Sequence, residues 1–140
     1  MMNNISTLVG LRNNLEYSQQ FYQRFRQIYP NEELIFVSYG SNDGTHQWLD
    51  TIDDSNLIYY YEDCDKTFSD TYNKATQLAT KDYVIFCHND IVVCNNFLEN
   101  LLKHCDEFTA VGYVTIEPPI FLGERVGKIV KDFGSNFSWF

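Results

Sequence analysis

The stretch "YVIFCHNDIVV" (Tyr83 to Val93) is apolar from Tyr83 to Cys87, presents His88, Asn89 and Asp90 in succession, and then turns apolar again. An imidazole, a carboxamide and a carboxylate in a row have two uses. They can hold a ligand at the edge of a sheet through hydrogen bonds and charge, or they can form a plain turn, which Asn and Asp favour through local hydrogen bonding. Taken alone, the tripeptide reads as the turn. Two further polar clusters stand in the same kind of place: Arg12 and Asn13 follow the apolar "ISTLVGL", and "SYGSNDG" holds the turn after the apolar run Leu34 to Val37.

The elements that position these clusters alternate along the chain. "ISTLVGL" (Ile5 to Leu11) is short and β-branched, the profile of a buried strand. The next segment places Leu15, Phe21, Phe25 and Ile28 near helical spacing, with Asn14 as a cap and Pro30 just past the end. "ELIFVSY" repeats the strand, and a helix from about Thr45 carries Trp48, Leu49 and Ile52. "NLIYYYED" gives a third strand, followed by a helix with Phe68, Tyr72, Ala75 and Ala79 on one face. After the Tyr83 strand, Phe97, Leu98, Leu101 and Leu102 line a fourth helix, and "FTAVGYVTI" reads as a further strand. Such alternation predicts an α/β fold, an open, mainly parallel sheet with helices on both faces. Ligands of such sheets bind beyond the carboxyl ends of the strands, where all three polar clusters should converge.

Bulk properties limit the functions open to the chain. Its 140 residues, 44% hydrophobic and 21% charged, describe one folded domain, 1–140, with a core of its own. A formal net charge of -9 repels phosphates and argues against nucleic acid as a partner, while a divalent cation can still bring an anionic ligand to the surface. Cys64, Cys87, Cys94 and Cys105 have no C-x-x-C spacing, which argues against structural zinc. The start "MMNNISTLVGLRNN" has no basic leader and no window is apolar enough to span a membrane, so the default expectation is a cytoplasmic, reducing location. G-x-S-x-G, the P-loop and G-x-G-x-x-G patterns are missing, which leaves a serine hydrolase, a P-loop nucleotidase and a dinucleotide dehydrogenase without support.

The blocks "STLVGLRNN", "ELIFVSYGSNDGTHQWL", "YNKATQLATKDYVIFCHNDIVV" and "FLENLL", in this order, resemble the family 2 glycosyltransferases, which have the Rossmann-like GT-A fold. The resemblance covers about residues 5–115 and rests on the order of four blocks, each weak alone. It implies transfer of a sugar from a nucleotide-diphosphate-sugar donor, UDP- before others, to a saccharide or other hydroxyl acceptor. It also implies Mn²⁺ or Mg²⁺ as cofactor, because a carboxylate-held cation neutralises the leaving diphosphate. "HND" stands where the family has D-x-D: Asp90 matches the metal-ligating Asp, and His88 replaces the first Asp with a group that ligates Mn²⁺ or donates a hydrogen bond. The implied nucleotide-sugar-binding residues are Leu11, Arg12, Asn13, Ser38, Tyr39, Asn73, His88, Asn89 and Asp90, with Asp90 and His88 on the metal.

Several of these positions leave alternatives open. Ser38 replaces the family's uracil- or ribose-recognising Asp with an uncharged hydroxyl, and Tyr39 either stacks on a base or packs. Arg12 either meets phosphate or stays in solvent, and Asn73 matches the family's helix Asn. Asp43 and Thr45 are expected to cap the second helix. The acidic patch Asp63, Asp65 and Asp70 reads as charged surface, with Lys66 solvating its loop; His46 and His104 read as surface residues of helices, and Cys87 as packing.

Family members take their catalytic base from an acceptor-binding half well after D-x-D. Only 50 residues follow Asp90 here, and Glu117, Glu124 and Asp132 match no base-bearing pattern, so no catalytic base is named. The expectation is that 116–140 open an acceptor-side region that breaks off, with Phe133, Phe137, Trp139 and Phe140 packing on what would follow or forming an apolar patch for a partner domain. Relatives extend bacterial surface polysaccharides at the inner membrane face, which adds polysaccharide biosynthesis and peripheral membrane association by analogy. The alternative function is a non-catalytic nucleotide-binding or assembly module that keeps the fold without a base.

Overall fold

The computed structural model describes residues 4–113, which order as β1 (Ile5–Leu11), α1 (Leu15–Ile28), β2 (Glu33–Tyr39), α2 (Thr45–Leu49), β3 (Leu57–Glu62), α3 (Phe68–Leu78), β4 (Tyr83–His88) and α4 (Phe97–Leu102). Glu117, Glu124, Asp132 and the terminal aromatics lie outside the described residues. The chain divides into two compact units, Met1–Val93 and Cys94–Phe140. The first contains a four-stranded sheet in the order β3-β2-β1-β4, and every pairing is parallel. Parallel pairing follows from the helix between each pair of strands, because a crossover must return the chain to the same edge.

Burial on both faces explains why β1 and β2 read as nearly continuous apolar runs. Side chains alternate along a strand, so one face of the sheet presents Leu8, Ile35, Val37 and Tyr39, which pack with Tyr72 and Ala75 of α3. The opposite face presents Phe36, which meets Phe21 of α1 at 6.3 Å and Trp48 of α2 at 6.0 Å between ring centroids. The expected two-sided arrangement is present, with α1 and α2 on one face and α3 on the other.

Gly10 allows α3 to lie close to β1, since a Cβ there would come within 3.0 Å of Thr71 Cγ2 and 3.2 Å of Tyr72 Cε2. Tyr72 uses that approach to accept from the Gly10 N–H (3.3 Å) and donate to the Cys87 carbonyl (2.5 Å). One hydroxyl thus ties the ends of β1 and β4 together.

Helix boundaries differ in detail from the sequence reading. Asn14 does stand at the start of α1, but its backbone is left-handed and its side chain makes no capping bond. Likewise α2 starts after a left-handed Gly44 and ends before Ile52. α3 has a reciprocal capping box between Thr67 and Asp70, so Asp70 serves the helix start instead of standing as free surface charge. In the second unit, Phe97 and Leu98 of α4 are buried, and Phe97 meets Tyr113 edge-on at 5.4 Å. The strand expected from Phe108 is not formed over Phe108–Tyr113; the local structure is an isolated bridge, Asp106 to Thr109. Asp106 accepts the Phe108 N–H, and a side chain that bonds its own turn competes with sheet pairing.

Arg26 of α1 reaches Asp54 at 2.6 Å, and both side chains are nearly enclosed. Tyr22 also donates to Asp54, and the Asn56 N–H binds its other oxygen. Burial opposes ionisation of Asp54, but the Asn56 amide, Arg26 and Tyr22 together hold its carboxyl below the ordinary value of 3.8. A depressed folded pKa contributes stability above the unfolded value, and that contribution is lost as pH falls through the folded one. Asp54→Ala should therefore lower urea stability by about 3 kcal/mol at neutral pH, with the deficit against wild type shrinking as the pH falls below the ordinary carboxyl value of 3.8.

Candidate functional site

Parallel strands deliver three loops to one edge of the sheet: Arg12–Asn14 after β1, Gly40–Gly44 after β2, and Asp63–Thr67 after β3. β4 ends there too, with His88 opposite Gly10 in the pairing register. The strand order reverses at β1, because the chain steps outward through β2 and β3 and then returns to place β4 on the other side. A crevice at the carboxyl end of such a reversal is the general ligand site of open α/β sheets.

On the β4 side, His88 and Asp90 are exposed and Asn89 is half-buried. The His88 ring stacks on Phe68 at 5.9 Å and stands edge-on to Tyr72 at 6.5 Å. Asn89 points elsewhere in function: its amide donates to Ser18 of α1 at 3.0 Å. Among the described residues no hydrogen bond or ion pair engages the side chain of Asp90 or His88, so both side chains stay available to a ligand. No group of three or more His, Cys, Asp or Glu side chains suited to a metal exists among the described residues. An imidazole and an uncommitted carboxylate nonetheless fit a Mn²⁺ that completes its shell with ligand and water oxygens.

Across the edge, the first two loops are clasped together. Asn13, left-handed at φ 57°, donates its N–H to Ser41 Oγ (2.9 Å) and accepts the Asn42 N–H on Oδ1 (2.8 Å). Asp43 accepts the Leu15 N–H on one oxygen and the Thr45 N–H and hydroxyl on the other. Burial works against its ionisation, but these Thr45 and Leu15 bonds lower its pKa overall. The carboxylate expected to cap only α2 thus binds the first turn of α1 as well. Leu11 is buried at the end of β1, and Arg12 pairs with Asp65 at 2.9 Å in solvent. Gly40 has φ 64°, and a Cβ there would collide with the Asp65 carboxylate, so the turn requires glycine.

Ser38 is fully buried and Tyr39 nearly so. The Tyr39 ring packs edge-on against Tyr60 at 6.1 Å and under the Lys66 ammonium at 4.7 Å. Lys66 also pairs with Glu62 at 3.0 Å, so it is engaged with its loop instead of simply solvated. Asn73 lies exposed within α3, and its side chain makes no hydrogen bond among the described residues.

His46 corrects the sequence reading most clearly. Expected on the surface, it is 4% exposed, with Nε2 at 3.0 Å from Ser38 Oγ and Nδ1 at 2.9 Å from Asp63 Oδ1. Its ring stacks on Tyr61 at 4.3 Å. Serine, imidazole and carboxylate in this order have the spacing of a nucleophilic triad. Here Ser38 has no exposed surface and its oxygen is held by Ser41 at 2.8 Å, so it is not placed to attack a substrate. Asp63 and Asp65, read as free surface charge, are partners of His46 and Arg12. The only sequence signal for the His46 contact was its position on an apolar helix face, since Asp63 lies 17 residues away. His104 is exposed, in the turn after α4, and Cys87 is buried as expected.

This fold, a parallel Rossmann-like sheet with its polar residues gathered at the reversal point, is the GT-A type. The family model described as Glycosyl transferase family 2 matches residues 10–133, and the chain belongs to that family. Among solved structures, it is similar to a mannosyltransferase of Pyrobaculum calidifontis determined in complex with GDP-Man and Mn2+, with a TM-score of 0.63 and 22% identity. The match covers 71% of this chain and 31% of that protein, so the chain spans about a third of that relative's length. No curated protein matches the sequence significantly. Among the described residues, no helix is long and apolar enough to cross a membrane.

The clasp has a direct test. Asp43→Ala should speed amide hydrogen exchange at Leu15 and Thr45 by about tenfold, the effect of losing one charge-assisted hydrogen bond each, while amides of β1 keep their protection.

Proposed function

We propose that this chain is the donor-binding part of a metal-assisted glycosyltransferase, with residues of about 5–115 holding a nucleotide-diphosphate sugar at the carboxyl edge of the sheet. The observation that carries this reading is the place of Asp90: an exposed, uncommitted carboxylate just past β4, beside the reversal point, in a family 2 chain. Asp90 and His88 would hold Mn²⁺ or Mg²⁺. Such an ion, when bound, supplies positive charge to the departing diphosphate.

The chain's own residues do the remaining work of binding and orientation. Arg12 offers a guanidinium to phosphate in exchange for its exposed bond to Asp65, which is weak enough to yield. The Asn13 and Ser41 clasp fixes the loops beside the nucleotide, and Leu11 supplies the buried end of β1 beneath it. Asn89 contributes by tying the motif to α1, Tyr39 by packing, and Asn73 from the α3 surface. Ser38 acts through Ser41, because its own oxygen is enclosed. The reading extends to a saccharide acceptor, a cytoplasmic setting and polysaccharide biosynthesis. UDP is the donor nucleotide expected from the sequence, and the GDP-Man complex of the similar mannosyltransferase makes GDP its direct competitor.

Thermal unfolding with UDP or GDP, each with and without Mn²⁺, tests the proposal. A nucleotide at about a hundredfold excess over its Kd adds about 2.7 kcal/mol and should raise Tm by several degrees, with the larger shift in the presence of metal. Asp90→Ala should remove the metal-dependent part of the shift and leave the ligand-free Tm unchanged. Equal Mn²⁺-dependent shifts in wild type and variant would refute the metal assignment.

A further inference from the structure

The hydrogen bonds from Asp63 to Asn13 form one chain whose direction is fixed at both ends. At its outer end, the Asp63 carboxylate only accepts, so the neutral His46 ring must carry its proton on Nδ1 and leave Nε2 bare. Bare Nε2 requires the Ser38 hydroxyl to donate to it, and Ser38 Oγ then receives the Ser41 hydroxyl. Ser41 Oγ already accepts the Asn13 N–H. With its proton directed inward and one lone pair filled, half-buried Ser41 has a single capacity left, one outward lone pair.

We infer that the Asp63–His46–Ser38–Ser41 chain sets the hydrogen-bonding polarity of the nucleotide site, making Ser41 an obligate acceptor that selects an N–H or O–H group of the bound nucleoside. This rests on the donor-site reading above and adds to it a specificity residue, Ser41, with His46 as the positioning residue behind it. A carbonyl or phosphate oxygen is turned away at this point, because acceptor faces acceptor.

Protonation reverses the chain. With hydrogens on both ring nitrogens, Nε2 donates to Ser38, Ser38 donates to Ser41, and both Ser41 lone pairs are filled by Ser38 and Asn13. The Ser41 hydroxyl then turns outward as a donor. The groups facing the ring are Asp63 from the loop after β3, Ser38 from β2, and Tyr61 from β3, whose hydroxyl donates to Asp50 at the end of α2. Asp63 is the charged partner in direct contact, and it keeps the same bond to Nδ1 in both states.

Two measurements test the inference, and the first needs no variant. Heteronuclear NMR of the ligand-free chain, read at a pH where the ring is observed to be neutral, should show the His46 proton on Nδ1. A neutral Nε2–H tautomer would overturn the proposed polarity. Secondly, affinities for UDP and GDP with Mn²⁺ are compared between wild type and Ser41→Ala at two pH values, a higher one at which the NMR spectrum shows the His46 ring neutral and a lower one at which it shows both ring nitrogens protonated. The variant should bind about tenfold more weakly at the higher pH, with the difference largely gone at the lower pH. Any effect of pH on the nucleotide or on the rest of the site is common to both proteins, so only the difference between them reports the chain. Nucleotide binding that is equally strong in both proteins at both pH values sinks the Ser41 inference and leaves the donor site standing. A wild type that binds neither nucleotide refutes the donor-site reading itself, and the nucleoside role of Ser41 with it.

Discussion

Parallel pairing of β1 with both of its neighbours is the constraint on which everything else depends. Because each neighbour runs in the same direction, every strand of the first unit ends at one edge, and every loop that leaves a strand begins there. Buried on both faces, β1 also anchors α3, which approaches it over Gly10. The polar residues need no special arrangement to meet, since the topology collects them. Tyr72 makes the point at atomic scale: its hydroxyl bridges the ends of β1 and β4, and a side chain larger than hydrogen at residue 10 would push it away.

Two kinds of polar group occupy that edge, and their partners separate them. Asp43, Asp63, Asp65 and Asp70 all have intramolecular tasks: two bind backbone amides at helix starts, one orients an imidazole and one pairs with Arg12. Glu62 belongs with them, since bonds from Tyr60, Cys64 and Lys66 lower its pKa to about 2. Asp90 alone among these carboxylates is left with nothing to hold within the described residues. A carboxylate already supplied with hydrogen bonds gains little from a ligand, whereas an uncommitted one offers its full charge.

The substitution of Ser38 for the family's usual acid gains a structural meaning from His46. A carboxylate on β2 would offer a charged acceptor directly, but a lone serine hydroxyl can point its proton either way. Backing it with a histidine held by Asp63 removes that freedom. Under the proposed donor-site reading, Asp63 in the loop after β3 takes the place of an acid on β2 and acts through the His46 ring and the Ser38 and Ser41 hydroxyls.

The sequence by itself determined the alternation of strands and helices, the parallel sheet and the edge at which its polar clusters meet. These follow from local periodicity, and the runs Leu34–Val37 and Ile5–Leu11 carry that signal within a few residues. It also identified "HND" as the end of a strand. Only the tertiary structure decided which polar residues were committed to one another, because those bonds cross between loops: Ser41 to Asn13 over 28 positions, His46 to Asp63 over 17. The same reason explains the expected strand at Phe108–Tyr113. Its apolar pattern suits a strand, but pairing needs a neighbour and register that no local pattern contains, and the described backbone there forms an isolated bridge instead. Periodicity is a property of neighbours in sequence, whereas the satisfaction of a buried imidazole is a property of neighbours in space.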